Sequence, residues 1–342
     1  MFHLAANIPI LPLIAFLVFV AAMLALDLGV LNRKSHVVSA REALKWTAFW
    51  VAMALLFSGG VYIGYENHWM DLGLEDPYAR TGRDAFIQFI TGYVVEQSLS
   101  LDNIFVIATI FSYMRVPAQY QHRVLFWGII GVVVLRGAMI ATGAVLINAF
   151  EWTVYLFGAL LIYSAIKMLA LKEGGIDLEA NRTVKLLRRI VPISSEYDGE
   201  RFLTRVDGRL MATPLLLVLC MVESADVVFA VDSIPAIFGI TKDPLIVFTS
   251  NIFAILGLRS LYFALAAVIA KFRYLKVSLA FVLGFVGAKM ILAHHYPIDP
   301  MVSLGMIAVI LLMGIVASIQ AQRGDARRAT RRLRAERSDA ET

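Results

Sequence analysis

The stretch Leu215–Phe238 reads LLLVLCMVESADVVFAVDSIPAIF. It is long and apolar enough to cross a bilayer, since a spanning helix needs about 20 apolar residues. Yet it carries Glu223, Asp226 and Asp232. A second stretch, Phe86–Tyr113, does the same with Glu96 and Asp102. One ionisable side chain at the bilayer centre costs about 2.5–3.5 kcal/mol on insertion scales, so five disfavour insertion by about 12 kcal/mol or more. Residues kept at that cost face a cavity and bind or relay something positive.

Working outward, the 342 residues are 59% hydrophobic and only 17% charged. Soluble domains are about 45–50% apolar and about 25% charged. The chain therefore reads as an all-α polytopic membrane protein, because only helices or a closed barrel satisfy their backbone in lipid. Its apolar runs have helix length, not the length of barrel strands. The single cysteine, Cys220, excludes an internal disulfide and reads as a small apolar filler inside a span. The net charge of +5 is uneven, and the tail RGDARRATRRLRAERSDAET is rich in arginine. Just past a last span, such a tail is a cytoplasmic topology anchor against anionic lipid. The bilayer, and no nucleic acid, is the partner it implies.

Nine spanning helices are expected: Ile8–Leu31, Ala43–Tyr65, Phe86–Tyr113, Arg123–Ile147, Trp152–Leu171, Pro214–Ile240, Leu245–Lys271, Lys276–Ala293 and Met301–Gln320. The first lacks the basic start and cleavage site of a signal peptide. Basic residues follow the odd-numbered spans: Arg33, Lys34 and Arg41, then Arg115 and Arg123, then the long connection after the fifth, then Lys271, Arg273 and Lys276. The alternate loops are poor in them. The positive-inside rule then puts the N-terminus outside and the C-terminus in the cytoplasm. Within the long connection, RTVKLLRRIV reads as a short basic amphipathic helix. RFLTRVDGRLMAT alternates around Asp207-Gly208, a hairpin signal. A docking element and a plain structured linker both remain open for it.

An internal repeat organises the rest. LDNIFVIATIF begins at Leu101 and ADVVFAVDSIPAIF at Ala225. Aligning Asp102 with Asp226 puts Phe105 on Phe229. The next span of each copy holds an arginine, Arg136 or Arg259, and the third ends in Lys167-Met168 or Lys289-Met290. A three-span unit inverts when repeated, so an in-plane pseudo-two-fold axis is expected, with a substrate site near mid-membrane. The divisions are residues 1–85 (two peripheral spans and an outer loop), 86–171 (first repeat), 172–213 (cytoplasmic loop), 214–293 (second repeat), 294–322 (final span) and 323–342 (basic tail).

On the third span Glu96, Ser100 and Asn103 share one helical face, with Ser98 and Asp102 on a neighbouring face. On the sixth, Glu223 and Asp226 share a face. Asp232 lies about half a turn from Glu223 and points to lipid or another helix, unless Pro235 unwinds the segment and turns it inward. The donors are carboxylates, a serine hydroxyl and an asparagine carbonyl. That set suits Mn2+, Mg2+ or Ca2+ and not zinc or copper. The competing reading makes these acids structural ion-pair partners of Arg136, Arg259, Lys167 and Lys289, although lysines near span ends can snorkel to the interface. Asn251 either lines the cavity or packs helices. Asp27 reads as interfacial, and His294-His295 as an outer loop pair that either sits at the interface or catches metal at the exit.

The strings VEQSLSLDNIFV and VESADVVFAVDSIPAIF, with the arginine spacing and the Lys-Met endings, resemble the TerC family, closest to its bacterial Alx-type members. The resemblance covers about Leu24 to Leu312. It implies a multi-pass inner-membrane protein of the LysE-like transporter group, linked to manganese export and to metal supply for exported proteins. It assigns the metal role to Glu96, Asp102, Asn103, Glu223, Asp226, Asp232 and Ser233, with Ser98, Ser100, Arg136, Asn251 and Arg259 in support. Manganese as transported substrate comes from this resemblance alone; Ca2+ and Mg2+ fit the same oxygens. The family name also refers to tellurite resistance, which nothing in these residues explains.

No Walker-type G-x-x-x-x-G-K-[ST] string is present, so an ion gradient must drive any uphill step. Moving a divalent cation outward against 100 mV costs about 4.6 kcal/mol, from about 2.3 kcal/mol per charge. Proton entry offsets that. A non-enzymatic exporter with no organic cofactor is expected. A membrane assembly or metallation partner, binding membrane or exported proteins through the cytoplasmic loop, is the rival from another class. A passive cation channel stays open too. An intramembrane aspartyl protease is disfavoured, because no G-x-G-D string occurs.

Overall fold

A computed structural model describes residues 10–26, 39–73, 81–170, 192–194, 196–206, 209–265, 274–293, 296 and 298–340. Within them lie nine α-helices in the expected order: α1 (Ile10–Leu26), α2 (Ala40–Glu66), α3 (Gly82–Tyr113), α4 (Ala118–Ala149), α5 (Thr153–Ala170), α6 (Pro214–Phe238), α7 (Pro244–Leu265), α8 (Leu275–Leu292) and α9 (Pro300–Ala340). Seven of them, α2–α7 and α9, are long and apolar enough to cross a membrane. The protein is an all-α, multi-pass membrane protein.

Helix starts follow local chemistry. Ser39 Oγ accepts from Glu42 N, and Thr81 Oγ1 accepts from Asp84 N, so each fills an otherwise orphaned donor. Proline opens α6, α7 and α9, where its missing N–H costs nothing. Asp243 Oδ1 accepts from Leu245 N and Ile246 N at the head of α7, and Tyr65 donates to its other oxygen. This buried carboxylate is thereby used up as a cap.

Helix pairing has the exchange symmetry of the repeat. α3 packs along α7, and its mate under exchange, α6, packs along α4. The third helices, α5 and α8, pack on each other. Each is its own mate's partner, and there the backbones nearly touch: a Cβ on Gly158 would lie 2.9 Å from the carbonyl oxygen of Gly287. α7 is the innermost helix, buried along almost its whole length. α2 covers it from outside, and Phe16 of α1 and Phe57 of α2 pack on Phe253. α1 and α2 therefore form a lid over the core and are more than peripheral additions.

Two details differ from expectation. α6 is continuous through Asp232-Ser233-Ile234-Pro235, with no unwound segment. Pro235 sits in the last turn, where one lost hydrogen bond is absorbed at the helix end, and its own carbonyl still accepts from Gly239 N at 2.9 Å. α9 does not stop at residue 322 but carries on as helix to Ala340. The hairpin is present: β1 (Leu203–Val206) and β2 (Arg209–Ala212) run antiparallel, with Val206 opposite Arg209. It is fastened to the α3–α4 turn. Tyr197 donates to Met114 O at 2.8 Å, Arg123 pairs with Glu200 at 3.1 Å, and Phe202 meets Trp127 edge to face. The RTVKLLRRIV helix, Asp207-Gly208, Asp27, Arg33, Lys34, Lys271, Arg273, His294 and His295 lie outside the described residues.

Candidate cation site between the repeats

Glu96, Ser100 and Asn103 are all buried, as one face of α3 requires. Asp226 and Ser233 are buried on α6. They stand two turns apart and so point the same way. Asn251 of α7 and Arg136 of α4 complete the group, both fully enclosed.

The guanidinium is the centre. Arg136 Nε and Nη2 donate to the two oxygens of Asp226 at 3.0 and 2.8 Å, a bidentate fork. Its Nη1 donates to Glu96 Oε1, and at 3.3 Å to both Ser233 Oγ and Asn251 Oδ1. Carboxylates from the first repeat (Glu96) and the second (Asp226) thus converge on one cation. The shell is not full. Glu96 Oε2, Ser100 Oγ and Asn251 Nδ2 are buried with no hydrogen-bond partner. Buried polar atoms in that condition are rare and call for an explanation.

Glu223, one turn before Asp226, lies over α4. Its carboxylate fills the space that Gly131 leaves open, where a Cβ would be 2.2 Å from Oε1. Its Oε2 is buried and unpartnered too, and no ion pair reaches it among the described residues. Beside these acids is a cavity of about 30 Å³, lined by Asn103, Asp226 and Arg259 among apolar side chains. That is room for a water-sized guest.

Two predicted ligands are elsewhere. Asp232 is half-buried and accepts from Ser164 Oγ of α5 at 2.5 Å. Asp102 is half-buried on the side of α3 that feels the charge of Lys276 on α8. Ser98 returns its hydroxyl to Val94 O at 2.6 Å and stays out of the group. Among the described residues no three His, Cys, Asp or Glu gather closely enough to hold a metal. The seven-residue ligand set is therefore not assembled as one cage here. The ion-pair reading is right for Glu96 and Asp226, whose partner is Arg136. It is not right for Lys167, which is exposed.

The placement also corrects the register of the repeat. Glu96 and Asp226 are the acids that enter the site, and each is followed six residues later by an aspartate, Asp102 or Asp232. Six residues turn a helix by about 240°, so the second acid leaves the site. Asp232 then meets Ser164 of α5, and Asp102, half-buried, lies within reach of the charge of Lys276 on α8, the mate of α5 under exchange. The matching pairs are Glu96 with Asp226 and Leu101-Asp102-Asn103-Ile104 with Val231-Asp232-Ser233-Ile234. This register stands six residues from the alignment of Asp102 with Asp226, and in it Phe105 no longer falls on Phe229. Gly131 and Ser164 were not anticipated. Small residues before Arg136 on α4, Gly128 and Gly131, were the one available signal.

Residues 81–326 match the family described as Integral membrane protein TerC family. Membrane protein STKORF319 of Myxococcus xanthus is 49% identical over 304 residues, covering 89% of this chain and 90% of that protein. A membrane protein of Rickettsia felis is 41% identical over 306 residues, 90% of this chain and 96% of its own. Alx of Escherichia coli strain K12, whose name carries the words membrane-bound redox modulator, is 44% identical over 302 residues, 88% and 92% of the two chains. No solved structure matches. With its paired acidic spans, its repeat and these relatives, the chain belongs to the TerC family of integral membrane proteins.

Proposed function

We propose that this protein is a secondary transporter that exports a divalent cation, Mn2+ by family resemblance, across a bacterial inner membrane in exchange for protons. One observation carries the reading: acids from opposite repeats, Glu96 and Asp226, converge on one buried guanidinium, and Glu223 stands one turn before Asp226 with a buried oxygen unpartnered. Glu96, Asp226 and Glu223 bring three formal negative charges, and the Arg136 guanidinium, which bonds the first two, offsets one of them. Set against Arg136 alone, the two charges left equal those of one divalent ion, or of two protons. The donors are all oxygen, which suits a hard cation. They come from both repeats, so rocking one repeat against the other would open the site to either side in turn. Redox modulation is in the name of a relative; this chain has one cysteine and can form no internal disulfide.

The test is Mn2+ flux in proteoliposomes, comparing the intact protein with Asp226→Asn and Glu223→Gln. Flux falls in both variants on this reading. Equal flux in all three would remove the carboxylates from the path. Uptake into inverted vesicles that neither needs nor dissipates a proton gradient would remove the coupling. Loss of function on deleting residues 186–209, with Asp226→Asn still active, would favour a metallation or assembly partner instead.

A further inference from the structure

Arg136 is seated as a cargo ion would be. Its guanidinium is surrounded by oxygens only, from Glu96 of α3, Asp226 and Ser233 of α6 and Asn251 of α7. Formal charge decides which guest suits that shell better. Glu96 and Asp226 bring two negative charges; one guanidinium cancels one of them and leaves Glu96 Oε2 without a partner. A divalent cation cancels both. The two guests need the same oxygens and repel each other, so they exclude one another.

A second seat lies one turn away. Glu223 meets Gly131, and Phe238 meets Gly143, so α6 and α4 run side by side in the same direction. Helical side chains lean toward their own N-terminus, so Arg136 leans back along α4 toward the level at which Glu223 meets that helix. The unpartnered Glu223 Oε2 is an acceptor for a guanidinium that leaves Asp226.

Resting on the transport reading above, we propose that Arg136 is a tethered surrogate cation. It fills the Glu96–Asp226 shell when no metal is present and shifts toward Glu223 when metal enters. The empty carrier then never moves with both acids uncompensated, and the metal must displace a built-in competitor.

The experiment measures Mn2+ binding to the full chain in nanodiscs, wild type against Arg136→Ala. The variant is purified with methylguanidinium, a soluble copy of the lost group that refills the gap and supports folding. Apparent affinity scales with the fraction of time the shell is open. If Arg136 holds the shell for about nine-tenths of the time or more, the variant binds Mn2+ roughly tenfold more tightly or better once methylguanidinium is removed. Added methylguanidinium weakens that binding competitively. In proteoliposomes Mn2+/Mn2+ exchange persists in the variant, while net efflux into metal-free buffer falls. If the variant stays folded only with methylguanidinium, the competition titration still decides. Equal or weaker Mn2+ binding by the variant, or simultaneous binding of methylguanidinium and Mn2+, overturns the surrogate role. Wild-type protein that neither binds nor moves Mn2+ overturns the transport reading with it, a separate and recognisable outcome.

Discussion

Glu96→Gln and Asp226→Asn each remove one formal charge from the same cluster, yet their effects on stability should differ widely. Asp226 takes the guanidinium in a fork at 3.0 and 2.8 Å. Asparagine cannot accept at both positions, and one of its atoms becomes a donor facing a donor. Breaking one side of a buried ion pair costs about 3–5 kcal/mol. Glu96 uses one oxygen on Arg136, and its other is already without a partner. Glutamine keeps the volume and the accepting oxygen. Its amide turns the orphaned position into a donor, with the unpartnered Ser100 Oγ one turn further on the same face. The remaining Arg136–Asp226 pair is neutral. We expect Glu96→Gln to change stability by no more than about 1 kcal/mol, since it removes a buried acceptor that had no partner. The gap between the two variants is then about 2 kcal/mol or more. Unfolding of the purified protein in mixed micelles measures it. Mn2+ binding, measured alongside, should be lost in both. An Asp226→Asn protein as stable as Glu96→Gln would show that the fork does not hold the repeats together.

Gly131→Ala puts a methyl group 2.2 Å from Glu223 Oε1, so the carboxylate must leave its place; Mn2+ flux should drop as in Glu223→Gln, and unchanged flux would detach Glu223 from the path. Gly158→Ala forces apart α5 and α8, with Gly287 O at 2.9 Å and Ile291 Cγ1 at 2.7 Å from the new atom. It should cost about 1–3 kcal/mol, whereas Gly59→Ala, with nothing within 4 Å, should gain about 0.5–1 kcal/mol as a helical glycine replaced by alanine. Tyr197→Phe removes the hydroxyl that ties the hairpin segment to Met114 O, a loss of about 1 kcal/mol readable as faster proteolysis of the segment. Burial raises the Tyr197 phenol above its ordinary range, so the neutral form is the one the fold favours. Its contribution is complete below the unfolded value of about 10 and fades as pH rises through the folded one; wild type and Tyr197→Phe should converge there.

How much of this was legible before any coordinates depends on which residues carried periodic information. The spans were legible because apolar length is a direct consequence of bilayer thickness. Glu96, Ser100 and Asn103 were placed on one face by spacing alone, and all three are buried. The hairpin strands followed from alternation on either side of Asp207-Gly208, and they pair antiparallel from Leu203 with Ala212 to Val206 with Arg209. Arg136 was harder. Sequence named it only as support, because spacing within α4 says nothing about which carboxylates on α3 and α6 come within reach. The repeat register failed for a related reason. Two aspartates on α6 offered two alignments, and only the helices they face, α4 for Asp226 and α5 for Asp232, distinguish them. Pro235 does not unwind α6, because it lies three residues before Phe238 and has little helix left to break.

Charge stoichiometry separates a carrier from a pore, and the site makes the number explicit. On the proposed reading, two carboxylate oxygens stand without partners, on Glu96 and Glu223, and against Arg136 alone the three acids leave two negative charges. Two protons or one divalent cation balance them equally well. The exchange is then electroneutral, and membrane voltage drops out of its equilibrium. Each pH unit contributes about 1.4 kcal/mol per proton, so two protons sustain a roughly hundredfold Mn2+ ratio per unit of pH gradient. A pore gives the opposite pattern. It ignores pH and follows voltage, about 4.6 kcal/mol for a divalent ion at 100 mV, which is a roughly 2,000-fold accumulation on the negative side. Proteoliposomes clamped with potassium and valinomycin at a fixed pH gradient measure the final Mn2+ distribution directly. A distribution that tracks the clamped voltage and not the pH difference would refute proton-for-metal exchange at Glu96 and Glu223.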